Sequence, residues 1–237
     1  MATNTAESVC IVLAGGLGTR LRSVVSDRPK CLAPVGDRPF LALQLDMLAT
    51  RGIQRFVLSL GHMAQMVQRA IAPLQARLRI DIVVEPEPLG TGGAILHTMH
   101  SADIGECLVT NGDTWLDADL SGLIAPLNPA AHEKLRLGCT VVADRSRYGG
   151  VAFEGSGLVS GFIPKGAEGS GPISAGFYRV HRSAFDGWSV GSTFSLEADV
   201  LPGLVAAGAV SATPLDGGFI DIGVPEDYRR FCQRHAG

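Results

Sequence analysis

Between positions 13 and 30 the sequence gathers what a phosphate-binding loop needs. Leu13, Ala14, Gly15, Gly16, Leu17, Gly18, Thr19 and Arg20 follow one another directly, and Lys30 comes ten residues later, just after Pro29. Glycines let backbone N–H groups reach phosphate oxygens with no Cβ in the way. Arg20 adds a planar, permanently charged fork, and Lys30 a second cation. Two better-known glycine motifs are excluded. A P-loop needs Gly-Lys-Ser/Thr where this chain has Gly18, Thr19 and Arg20, and a dinucleotide loop needs glycine where Leu21 stands. Taken alone, such a cluster also reads as a tight turn with surface cations.

Two aspartates have the chemistry of ligands for a hard cation. Asp113 follows Asn111 and Gly112, and Asp221 follows Phe219 and Ile220, each directly after apolar, strand-like residues. A single aspartate in such a place is more often a cap or turn residue. Mg²⁺, however, binds through one or two carboxylates, substrate phosphates and retained waters. No His/Cys cluster competes for a metal: His97 and His100 lie three apart on an expected helix and are read as facing solvent. No Ser-His-Asp or Cys-His arrangement is visible either.

These residues need a frame, and the chain can supply one. It has 237 residues, 46% of them apolar, with a net charge of −3. That describes a globular protein and excludes a general nucleic-acid-binding surface, which needs a basic excess. The five cysteines are odd in number and contain no C-x-x-C, which argues against a disulfide scaffold or zinc site and for a reducing compartment. The apolar run Val9 to Ala14 is too short for a signal core or a membrane span, so a cytoplasmic protein without membrane attachment is expected.

Strands are expected at Ser8 to Leu13, Phe56 to Leu60, Ile80 to Val84, Cys107 to Thr110 and Leu137 to Ala143. Helices are expected at Phe40 to Thr50 (with Gly52 as a stop), Met63 to Ala72 and Gly93 to Met99. This alternation predicts an α/β fold with a mostly parallel sheet, whose ligands bind beyond the carboxyl ends of the strands. The glycine loop and Asn111-Gly112-Asp113 both lie there. The stretch Gly149 to Gly176 is glycine-rich and predicts a small antiparallel substructure over the sheet edge. A helix over Ala198 to Ala207, a strand at Phe219 to Ile222 and a helix at Pro225 to Cys232 complete the chain. No linker divides it. A single domain is expected over 1–237.

The run from Gly15 to Leu21, then seven residues, then Pro29-Lys30-Cys31-Leu32-Ala33-Pro34-Val35, resembles the signature of the sugar-1-phosphate nucleotidyltransferases. The resemblance extends from Val9 to about Tyr228. Where many members have Pro-Leu-Thr, this chain has Ser23-Val24-Val25, which is similar to the branch that activates D-glycero-D-manno-heptose 1-phosphate with GTP. The resemblance implies a Rossmann-like three-layer sandwich with a mixed, mostly parallel sheet. It also implies transfer of a nucleotidyl group from a nucleoside triphosphate to a sugar 1-phosphate, with a nucleotide-binding half over about 1–145 and a sugar-phosphate-binding half over about 146–237. The heptose product would feed a surface polysaccharide such as a capsule or lipopolysaccharide.

Site roles follow from that resemblance. Leu13, Ala14, Gly15, Gly16, Gly18, Thr19, Arg20, Gly90, Thr91 and Gly112 would hold the nucleotide. Asp113 and Asp221 would hold Mg²⁺, Arg20 and Lys30 would neutralise the triphosphate, and Lys165 would hold the sugar phosphate. Gly149, Gly150, Ser174-Ala175-Gly176 and Glu197 would line the sugar pocket. Relatives usually place acidic residues before that lysine, where this chain has Ile163-Pro164. Glu197 also reads as a helix-start carboxylate, and Trp115 as either a pocket wall or a core residue. Glu85 sits where relatives read the base. An ionised carboxylate only accepts hydrogen bonds, which matches the adjacent N1–H and N2 amino group of guanine, although some uridylyltransferase-like relatives also carry glutamate. Glu87 is read as a solvated turn residue.

Other readings remain at this point. The same chemistry could serve mannose 1-phosphate with GTP, or glucose 1-phosphate with UTP or dTTP. A glycosyltransferase would use an Asp-x-Asp metal motif, and Asp117-Ala118-Asp119 has that spacing. A non-catalytic nucleotide-sugar sensor would keep the fold. A homo-oligomer is compatible with all of these.

Overall fold

The protein is described by a computed structural model covering residues 7–16, 25 and 27–235; Gly18, Thr19 and Arg20 lie outside the described residues. In chain order the elements are β1 (Val9–Leu13), β2 (Pro34–Val35), β3 (Arg38–Pro39), α1 (Phe40–Thr50), β4 (Arg55–Leu60), α2 (Ala64–Ile71), β5 (Arg79–Val84), α3 (Gly90–Ser101), β6 (Glu106–Asn111) and β7 (Thr114–Ala118). They continue with α4 (Ser121–Ile124), β8 (Leu135–Val142), β9 (Gly150–Phe153), β10 (Val159–Ile163), β11 (Gly171–His181), α5 (Leu201–Ala206), β12 (Val210–Pro214), β13 (Gly217–Asp221) and α6 (Pro225–His235).

A seven-stranded sheet in the order β12-β8-β11-β6-β1-β4-β5 forms the middle layer. All its neighbouring pairs are parallel except those made by β11, which runs antiparallel to both β6 and β8. Three antiparallel pairs, β2–β3, β9–β10 and β7–β13, lie outside it.

The apolar run of β1 follows from its place. Side chains alternate across a strand, so Cys10 and Val12 face the cluster containing Leu41, Leu45 and Leu48 of α1. Val9 and Ile11 face the opposite cluster, with Ile95 and Met99 of α3. A strand covered on both faces has no position for a polar side chain. Helix α1 has the predicted bounds, and Gly52 beyond it takes φ +93°, a left-handed conformation that suits glycine as the stop. A third apolar cluster packs Ile220, Ile222, Tyr228 and Phe231 against Phe40, anchoring β13 and α6 at the start of α1.

The second half departs from expectation. Residues 171–176 are not part of a peripheral substructure: they open β11, which lies in the interior of the main sheet. Two features hide that strand. Its ladder with β8 shifts between Ser174 and Tyr178, where Gly176 adopts φ +69°. It also carries Arg179, a buried cation whose Nε donates to Glu106 Oε1 at 2.6 Å. The small substructure is the β9–β10 hairpin alone. Strands β7 and β12 are additions to the expected set. The helix expected from Ala198 begins earlier, as a π-helical turn at Leu196–Val200 capped by Ser195 Oγ, which accepts from Ala198 N at 3.1 Å.

Candidate active site

The carboxyl ends of β1, β4 and β6 bring three loops together. Ala14 N donates to Ser59 O at 2.9 Å, and Gly112 N to Leu13 O at 2.9 Å. A Cβ on Gly112 would lie 2.9 Å from Leu13 O, so only glycine lets these loops touch. Glu85 follows β5, with its backbone N donating to Leu60 O at 2.8 Å. Its carboxylate accepts from Ser59 Oγ at 3.3 Å and from Leu89 N at 3.1 Å. A Cβ on Gly15 would stand 2.9 Å from Glu85 Oε1, so the glycine also makes room for that carboxylate. Gly90 takes φ +71° at the start of α3, and Gly92 N and Gly93 N donate to Phe194 O at 3.0 and 3.2 Å.

Asp113 and Asp221 meet because β7 and β13 pair: Asp221 stands opposite Thr114, and Ile222 N donates to Asp113 O at 3.0 Å. Lys30 arrives from the short 3-10 turn Lys30–Leu32 and places Nζ 2.5 Å from Asp113 Oδ2. Asp221 Oδ1 accepts from Gly223 N at 2.7 Å. A Cβ on Gly223 would come within 2.6 Å of both Asp221 Oδ1 and Lys30 Nζ, so the ammonium and the second carboxylate crowd the same point. Two hard oxygen donors converging on a place already held by a cation fit Mg²⁺, which needs few protein ligands when phosphates complete its shell. Among the described residues no group of three or more His, Cys, Asp or Glu offers an alternative metal cage.

Two cavities adjoin here. The first, about 660 Å³, is lined by Leu13, Ala14, Gly15, Gly16, Lys30, Glu85, Gly90, Thr91, Gly112 and Asp113, among others. The second, about 720 Å³, is lined by Gly149, Gly150, Lys165, Ser174, Gly176, Glu197 and Asp221, and it shares Thr91, Asn111 and Asp113 with the first. Each is large enough for a small-molecule ligand. Every sequence-predicted site residue that is described thus lines one cavity or the other, and Asp113 stands where they join.

Glu197 is more than a helix-start carboxylate. It accepts from Thr91 Oγ1 at 2.6 Å, Ser195 Oγ at 3.1 Å and Tyr178 OH at 3.3 Å, so it is held from both cavities' walls. Burial, and then the neighbouring Glu197, push the Tyr178 hydroxyl well above the ordinary tyrosine range, keeping it a proton donor.

One expectation needs correction, the solvent-facing His97, and two readings left open or disfavoured by the sequence are resolved. Trp115 is a core residue, packed edge-on against Phe40, Phe231 and His235 at centroid distances of 6.3, 5.1 and 5.1 Å. His97 is half-buried, and only His100 is exposed. Asp117 pairs with Arg51 at 2.7 Å and Asp119 accepts from Ser121 N at 2.9 Å, so the Asp-x-Asp spacing is occupied by surface contacts away from both cavities.

Sequence reasoning missed Arg147, Tyr148 and His62. Arg147 and Tyr148 line the second cavity, and His62 the first. Arg147 Nη2 donates to Asp227 Oδ2 and to Tyr148 OH, both at 2.6 Å. The signal available was position: the pair directly precedes Gly149 and Gly150. A charged residue in a loop otherwise reads as solvated.

The comparisons agree with this geometry. A sequence model described as nucleotidyl transferase matches residues 9–236. D-glycero-alpha-D-manno-heptose 1-phosphate guanylyltransferase of Campylobacter jejuni is 37% identical over 221 residues, covering 93% of this chain and 97% of that protein. The protein of the same name from Aneurinibacillus thermoaerophilus is 34% identical over 220 residues, covering 93% and 95%. The crystal structure of HddC from Yersinia pseudotuberculosis complexed with GMP-PN superposes with a TM-score of 0.83 at 33% identity, covering 96% of this chain and 99% of that one. With Gly15, Gly16, the paired aspartates and the adjoining cavities on one side of the sheet, and with these matches, the chain belongs to the nucleotidyl transferase family.

Proposed function

We propose that this protein transfers the guanylyl group of GTP to D-glycero-α-D-manno-heptose 1-phosphate, with Mg²⁺ as cofactor, and releases pyrophosphate. The observation that carries the reading is the junction of two ligand-sized cavities at Asp113, with Lys30 at 2.5 Å. The names of the relatives from Campylobacter jejuni and Aneurinibacillus thermoaerophilus support guanine and the heptose.

In this reading the nucleotide occupies the first cavity. The Gly15–Gly16 backbone approaches the phosphates, and the Glu85 carboxylate accepts from N1–H and the N2 amino group of guanine. The acceptor occupies the second cavity, its phosphate aimed by Lys165 and Arg147 and its hydroxyls met by Glu197. An anionic oxygen of the sugar phosphate attacks the α-phosphorus, a new P–O bond forms, and the bond to the β-phosphate oxygen breaks in line. The nucleophile needs no general base, since the phosphate is already ionised near neutral pH. The work is positioning and charge neutralisation. Lys30 and Arg20 balance the triphosphate and the leaving pyrophosphate. Asp113 and Asp221 would hold Mg²⁺, which when bound supplies charge neutralisation at the reacting phosphate. Among the described residues no helix is long and apolar enough to cross a membrane. We place the reaction in the cytoplasm, consistent with four buried free thiols.

The direct test pairs each common nucleoside triphosphate with a panel of sugar 1-phosphates, including the manno-heptose, mannose and glucose compounds, and follows pyrophosphate release with Mg²⁺. Release with GTP and the heptose above all other pairs is expected. Release with another pair would reassign the substrates, and nucleotide binding without release from any pair would favour a sensor.

A further inference from the structure

Gln44 lies on α1 beside Leu41, Leu45 and Leu48, fully buried, at a place where an apolar side chain would pack. Its Nε2 donates to two backbone carbonyls, Asn111 O at 2.9 Å and Thr114 O at 2.7 Å. Both partners can only accept, so the nitrogen of the amide must face them, and its two hydrogens are both used. Gln44 Oε1 is buried with no hydrogen-bond partner among the described residues. Unsatisfied buried acceptors are uncommon. The fold tolerates this one to keep both donors on residues 111 and 114.

Those two carbonyls bracket Gly112 and Asp113. Asn111 ends β6 of the main sheet, and Thr114 begins β7, whose partner opposite Thr114 is Asp221. One amide therefore ties the main sheet to the ribbon that carries the second aspartate. We propose that Gln44 is a positioning residue for the metal pair, fixing the Asp113 turn relative to Asp221 without touching substrate. The inference rests on the reading of those aspartates as metal ligands.

The test compares Gln44→Met, which keeps length and loses the donors, with Thr98→Val, which removes a buried hydroxyl on α3 that, like the Gln44 amide oxygen, lacks a partner among the described residues. Mn²⁺ binding in the presence of a non-hydrolysable GTP analogue is measured by electron paramagnetic resonance, alongside kcat, KM for GTP and Tm. For Gln44→Met, Mn²⁺ affinity and kcat are each expected to fall about tenfold or more, the scale of a lost outer contact at a metal site. KM for GTP is expected to stay within about threefold, and Thr98→Val to keep wild-type Mn²⁺ affinity. If Gln44→Met is insoluble, Gln44→Leu removes both donors with a shorter apolar side chain and is read the same way. Wild-type Mn²⁺ affinity and kcat in the Gln44 variant, or equal losses in Thr98→Val, overturn the positioning role. Unchanged Mn²⁺ binding in Asp113→Asn would instead overturn the metal assignment beneath it.

Discussion

The ammonium of Lys30 lies 2.5 Å from Oδ2 of Asp113 across a sequence separation of 83 residues, at the junction of the two cavities. Both side chains are largely shielded, at 12% and 25% exposure. Shielded charges that lose a partner are costly, so each must exchange the other for a new one when ligands arrive. In the proposed reaction Lys30 would turn to phosphate oxygens as Asp113 turned to the metal. Lys30→Met is expected to lower kcat by about a hundredfold or more, in line with loss of a transition-state charge contact. It should also make Mg²⁺ alone raise Tm more than in the wild type, because the carboxylate no longer has its ammonium. A thermal shift series in MgCl₂ without nucleotide checks this; equal shifts would mean the pair does not compete with metal.

Asp113→Asn and Asp221→Asn remove negative charge and leave shape. Each is expected to cut kcat by about a hundredfold or more. The Kd for GTP measured without metal should change by less than about threefold. Steady-state kinetics with a metal-free binding assay separates the two quantities. Full activity in either variant would remove that aspartate as a metal ligand.

Glu85→Gln replaces one acceptor with a donor where the guanine edge is proposed to lie. Preference for GTP over UTP, as a ratio of kcat/KM, is expected to narrow about tenfold, the usual scale of one mismatched polar contact. An unchanged ratio would show that Glu85 only props the loop through Ser59 and Leu89 N.

Arg147→Ala and Lys165→Ala should raise KM for the sugar 1-phosphate about tenfold or more while KM for GTP stays within about twofold. Arg147 has a second tie, its ion pair with Asp227, which Arg230 also contacts at 2.9 Å. A Tm loss without a change in acceptor KM would therefore reduce Arg147 to an anchor for α6.

Burial pushes the thiols of Cys31, Cys107 and Cys139 up to about 12 from an ordinary 9.0. The folded protein therefore keeps protons that the unfolded chain gives up above pH 9.0. This contribution is complete below that pH and is lost progressively as pH rises from about 9 toward 12, at about 1.4 kcal/mol per pH unit for each thiol. Melting curves between pH 8 and 11 should show a falling Tm. Alkylation at pH 8 should spare these residues and mark half-exposed Cys232 first. Rapid loss of GTP binding on alkylation would mean that Cys31, in the first cavity's wall, is accessible after all.

Much of the parallel half was legible because periodicity and burial agree there. The run Val9–Leu13 is apolar because both sheet faces are covered, and Phe40–Thr50 ends at a glycine that takes a left-handed turn. The glycine loop stood out by its composition and both aspartates by the family resemblance, and the structure brings the described members to adjoining cavities. Strand β11 was not, because Arg179 is neutralised by Glu106 from the neighbouring strand, a partner no local window contains. Gln44 was invisible for the same reason: its role depends on carbonyls 67 and 70 residues away. Arg147 looked like loop charge because its ion pair lies 80 residues on, in α6.

The interior antiparallel strand also shapes how the molecule is assembled. Strands β6 and β8 are not paired with each other; each presents a ladder to β11, which the chain makes after both. Until Gly171–His181 inserts between them, the half-built sheet carries two bare edges, and such edges are templates for pairing with other chains. Closing that gap requires non-local pairing, which is slow. The interval most exposed to misassembly is therefore the wait for this interior strand, and dilution or chaperone shielding during that interval guards against it.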